Sequence, residues 1–247
     1  MSDTAQKPPF GWLLIWGKKA TGKTVAALNS PWQPVHVIDC ENSSGDYFEH
    51  QARLVETGFL KGAFTRTMCY TLQEYLNELV RITKSTERYG TIVVDTFGQV
   101  ANWIGEDQFK KEAGKADKQS QIVWGHVRDR IRTQLLELGK RCDLLVVTAH
   151  ERKYGDDITP RCNPTVLELC SLSVRLTRQP NEKMPTATIK ARLPFFPPQI
   201  KDFTIGKLVD YIQKPANWDK LSEDEKLAEP SPTPQPGFDE KRQYEEG

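Results

Sequence analysis

Trp12-Leu13-Leu14-Ile15-Trp16, Val35-His36-Val37-Ile38, Ile92-Val93-Val94 and Leu144-Leu145-Val146-Val147 are short apolar runs bounded by polar or glycine-bearing sequence. Unbroken runs of this kind, without in-and-out alternation, predict strands covered on both faces. A weaker run over residues 64–69 predicts one more. Between them apolar residues recur at helical spacing. Leu72, Tyr75, Leu76, Leu79, Val80 and Ile82 mark a helix over 72–84, Val25-Ala26-Ala27-Leu28 favours another, and helical patterns also occupy 46–57 and 119–141. Five strands alternating with helices predict an α/β fold: a mostly parallel sheet flanked by helices.

Beyond residue 150 the rhythm changes. Residues 151–164 are charged and turn-rich and predict a mobile loop. Two further strands near 171–178 and 186–193, with Gln179-Pro180-Asn181-Glu182 between them, predict a C-terminal β-hairpin added to the sheet. Residues 205–213 suit a helix, and the proline-rich stretch 229–237 predicts disorder. The expected division is an N-terminal arm over 1–9, one domain over 10–215, and a disordered acidic, proline-rich tail over 216–247.

Composition narrows the class. With 247 residues the chain can bury a substantial core. No apolar run reaches the roughly 18 residues of a membrane span, and the N-terminal sequence lacks the basic-then-apolar order of a secretion signal, so a soluble cytoplasmic protein with no membrane partner is expected. The cysteines, Cys40, Cys69, Cys142, Cys162 and Cys170, are odd in number and contain no C-x-x-C pair, which suits reduced thiols. His150, Cys162 and Cys170 are a conceivable zinc set without a fourth ligand at sensible spacing. Net charge is +1, but residues 221–247 carry −5 and the body +6. A basic body with an acidic appendage suits a polyanion partner, and it equally suits a solvated surface with a solubilising tail.

The chemistry starts at the end of the first run. Gly17-Lys18-Lys19-Ala20-Thr21-Gly22-Lys23-Thr24 is G-x-x-x-x-G-K-[ST], followed by Val25 at the head of a helix. Glycines let main-chain N–H groups curl around phosphates, Lys23 supplies an ammonium, and Thr24 offers a hydroxyl to Mg²⁺. ATP and Mg²⁺ are the expected ligands. Three more residues stand at strand ends, on the edge of a parallel sheet where ligand crevices form: Glu41, Asp95 and His150. Asp95 suits the metal, with Thr96 to orient it. Glu41 suits a general base for water, and His150 a donor to the terminal phosphate. Asp39 rivals Glu41 for the base. A phosphotransferase is the main alternative to a hydrolase, and an ATP-dependent assembly switch without hydrolysis is a third reading.

Together these residues resemble the RecA-type recombinase core. Val37-Ile38-Asp39-Cys40-Glu41 resembles that family's strand ending in Asp-x-Glu, whose glutamate is the catalytic base, and Thr91-Ile92-Val93-Val94-Asp95-Thr96 resembles its metal-binding strand. Leu145-Val146-Val147-Thr148-Ala149-His150 is similar to the strand whose last polar residue senses the γ-phosphate, which makes 151–164 a DNA-binding loop. Ile189-Lys190-Ala191-Arg192 resembles the Lys-x-Lys strand whose cations reach a neighbouring subunit's ATP site. The Thr-Ala-His-Glu sequence at 148–151 and the short length resemble the small phage ATPases of the AAA-24 and Sak type, linked to single-strand annealing and recombination.

The resemblance implies a RecA-like P-loop ATPase acting on single-stranded DNA. It also implies a homo-oligomeric ring or filament with ATP at its interfaces, a single-strand-binding protein as a further partner, and a phage-encoded protein in a bacterial cytoplasm. Lys190 and Arg192, two apart on a strand, would project to one side. Lys153, Tyr154 and Arg161 suit single-strand contacts, since cations track phosphates and an aromatic stacks on a base. Lys110, Lys111, Lys115 and Lys118 suit either a first DNA-facing loop or a solvated helix.

Overall fold

A computed structural model describes residues 10–112, 120–191 and 198–213. The first apolar run is β1 (Trp12–Gly17), followed by α1 (Lys23–Leu28) and β2 (Val35–Asp39), all five of whose residues are buried. The helical stretch expected over 46–57 is two short helices, α2 (Gly45–Glu49) and α3 (Gln51–Glu56), separated at His50, whose φ of −108° leaves the helical region. Next come β3 (Phe64–Met68) and α4 (Leu72–Lys84). Thr71 caps α4 by accepting from the Glu74 N–H, while the Glu74 carboxylate accepts from the Thr71 N–H. Such a reciprocal cap contributes about 1 kcal/mol.

Fully buried β4 (Tyr89–Asp95) leads to α5 (Phe97–Glu112), a helix not expected from the sequence. Phe97, Val100 and Ile104 anchor it, one per turn. Then follow α6 (Ser120–Gly139) and β5 (Cys142–Tyr154). The expectation of a mobile loop over 151–164 is overturned. β5 runs on past the sheet to Tyr154, turns at Gly155 (φ +59°), and returns as the antiparallel β6 (Asp157–Pro160). α7 (Pro164–Leu169) is capped by the Asn163 side chain. The expected C-terminal hairpin is β7 (Leu172–Thr177) with β8 (Thr186–Ala191); β9 (Gln199–Ile200) and α8 (Ile205–Gln213) complete the described chain. The arm over 1–9, the tail over 216–247, Lys115, Lys118 and Arg192 lie outside the described residues.

The strand order is β3-β2-β4-β5-β1-β7-β8-β9, with β6 attached to β5. β3, β2, β4, β5, β1 and β7 run parallel, and β8 is antiparallel to β7. One apolar core, with Ala26, Leu28, Leu60 and Leu208, packs α1 and α8 on one face. A second, with Tyr75, Ile82, Ile104, Ile131 and Leu135, packs α4, α5 and α6 on the other. This RecA-like layering brings the carboxyl ends of β1, β2, β4 and β5 to one edge: Gly17 is in register with His150, and Asp39 with Asp95.

Candidate functional site

The turn out of β1 is shaped by its neighbours. A Cβ on Gly17 would lie 2.3 Å from the Leu176 carbonyl oxygen, so only glycine lets the loop lie this close to β7. Gly22 takes φ +90°, a left-handed conformation that glycine adopts without strain, with Pro185 beside it. Lys23 is buried, and its ammonium folds back over the loop to donate to the Gly17 and Lys18 carbonyls at 3.2 and 2.8 Å. Burial lowers its pKa below the ordinary lysine value, opposed by the nearby carboxylates of Asp95, Glu41 and Glu151. Lys18, Lys19 and Ala20 are exposed at the mouth, and Thr21 donates to the Lys18 carbonyl, which closes the loop.

Thr24 at the head of α1 donates to Asp95 Oδ2 at 2.7 Å. The same carboxylate accepts from Ser43 Oγ at 2.7 Å and from the Thr148 hydroxyl. A buried carboxylate is thus held beside a threonine hydroxyl and a phosphate-loop lysine. Hard oxygen donors next to a glycine-shaped cradle fit a magnesium triphosphate. Thr96, expected to orient Asp95, instead donates to Glu41 Oε1 at 2.7 Å.

Glu41 lies just beyond β2. His150 Nε2 meets its other oxygen at 2.8 Å, across 109 residues of sequence. The His150 bond, with the Thr96 bond and the Lys23 charge, outweighs burial and holds the Glu41 carboxyl below its ordinary pKa, so it is an ionised acceptor at neutral pH. Both side chains of the pair are about one-third exposed, 34% for His150 and 32% for Glu41. Asp39, the rival base, is fully buried and accepts from the N–H groups of Glu41, Ser43 and Ser44, leaving it no access to solvent.

The remaining expected residues separate. Lys190 is in register with Ser173, and Ser173 with Leu14, so it stands about 10 Å of strand away from Gly17 and outside its own chain's site. Lys153 and Tyr154 are exposed on the β5–β6 hairpin, and the Arg161 N–H donates to the His150 carbonyl at 2.7 Å, tying the hairpin's root to the site. Lys110 is exposed at the end of α5, where Lys111 pairs with Asp107 at 2.7 Å. Among the described residues no group of three His, Cys, Asp or Glu side chains could hold a metal ion, so the conceivable set of His150, Cys162 and Cys170 does not assemble. None of the described helices is long and apolar enough to cross a membrane.

Sequence reading missed four contributors. Ser43 and Thr148 hold Asp95, and Glu151 pairs with Arg175 at 3.2 Å while Arg175 lies over the Trp16 ring. Thr148 carried a signal, a polar residue at the end of a buried run. The other three depend on strand register.

The family model AAA_24, described as an AAA domain, matches residues 12–175. Among solved structures, a RadB recombinase is similar over 75% of this chain and 82% of its own, with 17% identity and a TM-score of 0.51. A KaiC-like protein of the hyperthermophilic archaeon Pyrococcus horikoshii OT3 aligns over 74% of this chain and 80% of its own, with 16% identity and a TM-score of 0.44. No curated protein matches the chain.

Proposed function

The chain belongs to the AAA_24 family of AAA domains and has a RecA-like fold; on that premise we propose that it is a P-loop ATPase with Glu41 as its general base and that hydrolysis is coupled to single-stranded DNA on the β5–β6 hairpin. The observation that carries this reading is the meeting of Glu41 and His150 at 2.8 Å on the edge that holds Lys23, Thr24 and Asp95.

Residues 17–25 cradle the triphosphate through their main chain, and Lys23 offsets charge on the terminal phosphates. Glu41 takes a proton from the attacking water as its oxygen bonds to the γ-phosphorus and the bond to the leaving ADP oxygen breaks. Thr24 and Asp95 are the residues that would hold Mg²⁺, which supplies charge neutralisation on the phosphate oxygens when bound. His150 shares its partner, the Glu41 carboxylate, with this chemistry, and its own carbonyl is bonded to Arg161 at the hairpin's base. A change at the site therefore has a short covalent and hydrogen-bonded route to Lys153 and Tyr154, proposed with Arg161 as the single-strand contacts. Lys190 and Arg192 would act in a second copy's site, so the active form would be a ring or filament.

Steady-state ATP hydrolysis with and without single-stranded DNA tests the reading. Stimulation is expected, with binding that weakens steeply as salt rises. DNA that neither binds nor changes the rate would remove the DNA coupling, and turnover that requires a small phosphate acceptor would replace hydrolysis by phosphotransfer. Light scattering with a non-hydrolysable ATP analogue tests assembly, which is expected to weaken in Lys190→Ala.

A further inference from the structure

Glu41 is carried on residues 40–44, a loop without regular structure between β2 and α2, and a general base is useful only if that loop is held still. Its anchor is the Asp39 carboxylate. Oδ1 accepts the Glu41 and Ser43 N–H groups, both at 3.1 Å, and Oδ2 accepts the Ser44 N–H at 2.9 Å and the Ser44 hydroxyl at 2.6 Å. The anchor is itself gripped from the neighbouring strand. Arg66 of β3 reaches Asp39 Oδ2 with Nε at 3.1 Å and Nη2 at 3.0 Å, and the same two nitrogens donate to Ser44 Oγ and Asn42 Oδ1.

The fork is nearly out of solvent: the Arg66 side chain is 13% exposed and that of Asp39 0%. Among the described residues the guanidinium's contacts to nitrogen and oxygen go to this loop or its anchor, and Nη2 also meets Met68 Sδ on its own strand. Asn42 takes a left-handed φ of +57°, which asparagine tolerates, and Arg66 holds its side-chain oxygen there. From the same loop Ser43 donates to Asp95.

We propose that Arg66 is a positioning residue for hydrolysis: through Asp39, Ser44 and Asn42 it fixes the main chain that aims Glu41. This rests on the reading of Glu41 as the base. Arg66 contacts the loop and its anchor, and acts through them. A displacement of about 1 Å at a reacting group lowers turnover by as much as about 10²-fold without weakening ground-state binding.

The test compares wild type, Arg66→Met, Arg66→Lys, Glu41→Gln and the Glu41→Gln/Arg66→Met double variant. Readouts are kcat and KM for ATP, affinity for a fluorescent ATP analogue, and thermal melting. Arg66→Met should lower kcat by about 10²-fold while KM and nucleotide affinity stay within about twofold. Arg66→Lys should recover part of the loss, because an ammonium keeps the charge without the fork. The double variant should be no slower than Glu41→Gln, since an aimed base that is absent cannot be misaimed.

Full kcat in Arg66→Met beside an inactive Glu41→Gln would overturn the positioning role and leave the base standing, and so would losses that multiply in the double variant. If Arg66→Met fails to fold, Arg66→Lys decides: unchanged kcat overturns the proposal, lowered kcat at unchanged affinity supports it. Wild-type turnover by Glu41→Gln would remove the base and the positioning role with it, a result visible in that variant alone.

Discussion

Two histidine–glutamate pairs lie along β2 and its exit, and they differ in everything except chemistry. His36 in mid-strand meets Glu78 of α4 at 2.6 Å with both side chains nearly sealed, 2% and 5% exposed. Its other nitrogen pairs with Thr65, and Arg81 fills both Glu78 oxygens while reaching the Tyr89 hydroxyl. His36 and Glu78 have protein partners there and almost no contact with solvent. His150 and Glu41 form the same pair at 2.8 Å where the strands end, about one-third exposed and beside the phosphate-loop lysine. A buried pair is costly to break, about 3–5 kcal/mol, because it leaves a charge without solvent. An open pair contributes about 0–1 kcal/mol to stability and keeps its carboxylate available. Position along the strand, more than residue type, separates packing from chemistry.

The largest effect should come from removing the open carboxylate. Glu41→Gln is expected to slow ATP hydrolysis about 10³-fold, roughly 4 kcal/mol of barrier, with nucleotide binding retained and thermal melting hardly moved. Removing the sealed carboxylate should do the reverse. Glu78→Gln is expected to cost about 3 kcal/mol in urea melts, or about 6–12 °C in melting temperature, with kcat for ATP unchanged in the folded fraction.

The sealed pair also has an acid signature. Burial alone would raise the Glu78 carboxyl, but the bonds from Arg81 and His36 bring it from 4.5 down to about 2. A depressed carboxyl stabilises the fold fully above its ordinary value and loses that contribution as pH falls toward the folded value. The stability gap between wild type and Glu78→Gln should therefore be constant above pH 4.5 and close toward pH 2. Smaller again, His150→Ala should lower hydrolysis about tenfold while changing stability by less than about 1 kcal/mol.

What could be read from the chain follows the same division between local and register-dependent features. β1, β2, β4 and the first half of β5 are built on short apolar runs, and the loop at 17–24 is contiguous, so both were legible. α5 was not: Phe97, Val100 and Ile104 are its buried anchors, but glycine and polar residues around them flatten the pattern. The β5–β6 hairpin has the sequence character of a loop because most of it is exposed on both sides, so no alternation marks it. Glu41, Asp95 and His150 were legible as polar residues ending apolar runs, and Thr148 carried the same signal. The other holders were not, since Arg66 reaches Asp39 only through the register of β3 on β2, and Ser43 reaches Asp95 only once β2 and β4 are ordered.

The smallest effect sharpens the comparison at its exposed end. Of the two hairpins, β7–β8 lies within the sheet, whereas β5–β6 stands free of it and carries Tyr154 with 60% of its surface exposed. An aromatic this exposed on a two-stranded arm gains little for the fold, and base stacking contributes about 1–3 kcal/mol per base when removed by alanine. Tyr154→Ala should weaken single-strand binding by about fivefold or more in fluorescence titrations, almost equally for different sequences, because stacking does not read base edges. Lys153→Ala should act differently, lowering the slope of log affinity against log salt by about 0.7, the share of one phosphate contact on a single strand. If both substitutions change only the slope, the tyrosine is not a stacking platform and the arm binds by charge alone; if neither changes binding, the hairpin belongs with the sealed, structural half of the molecule.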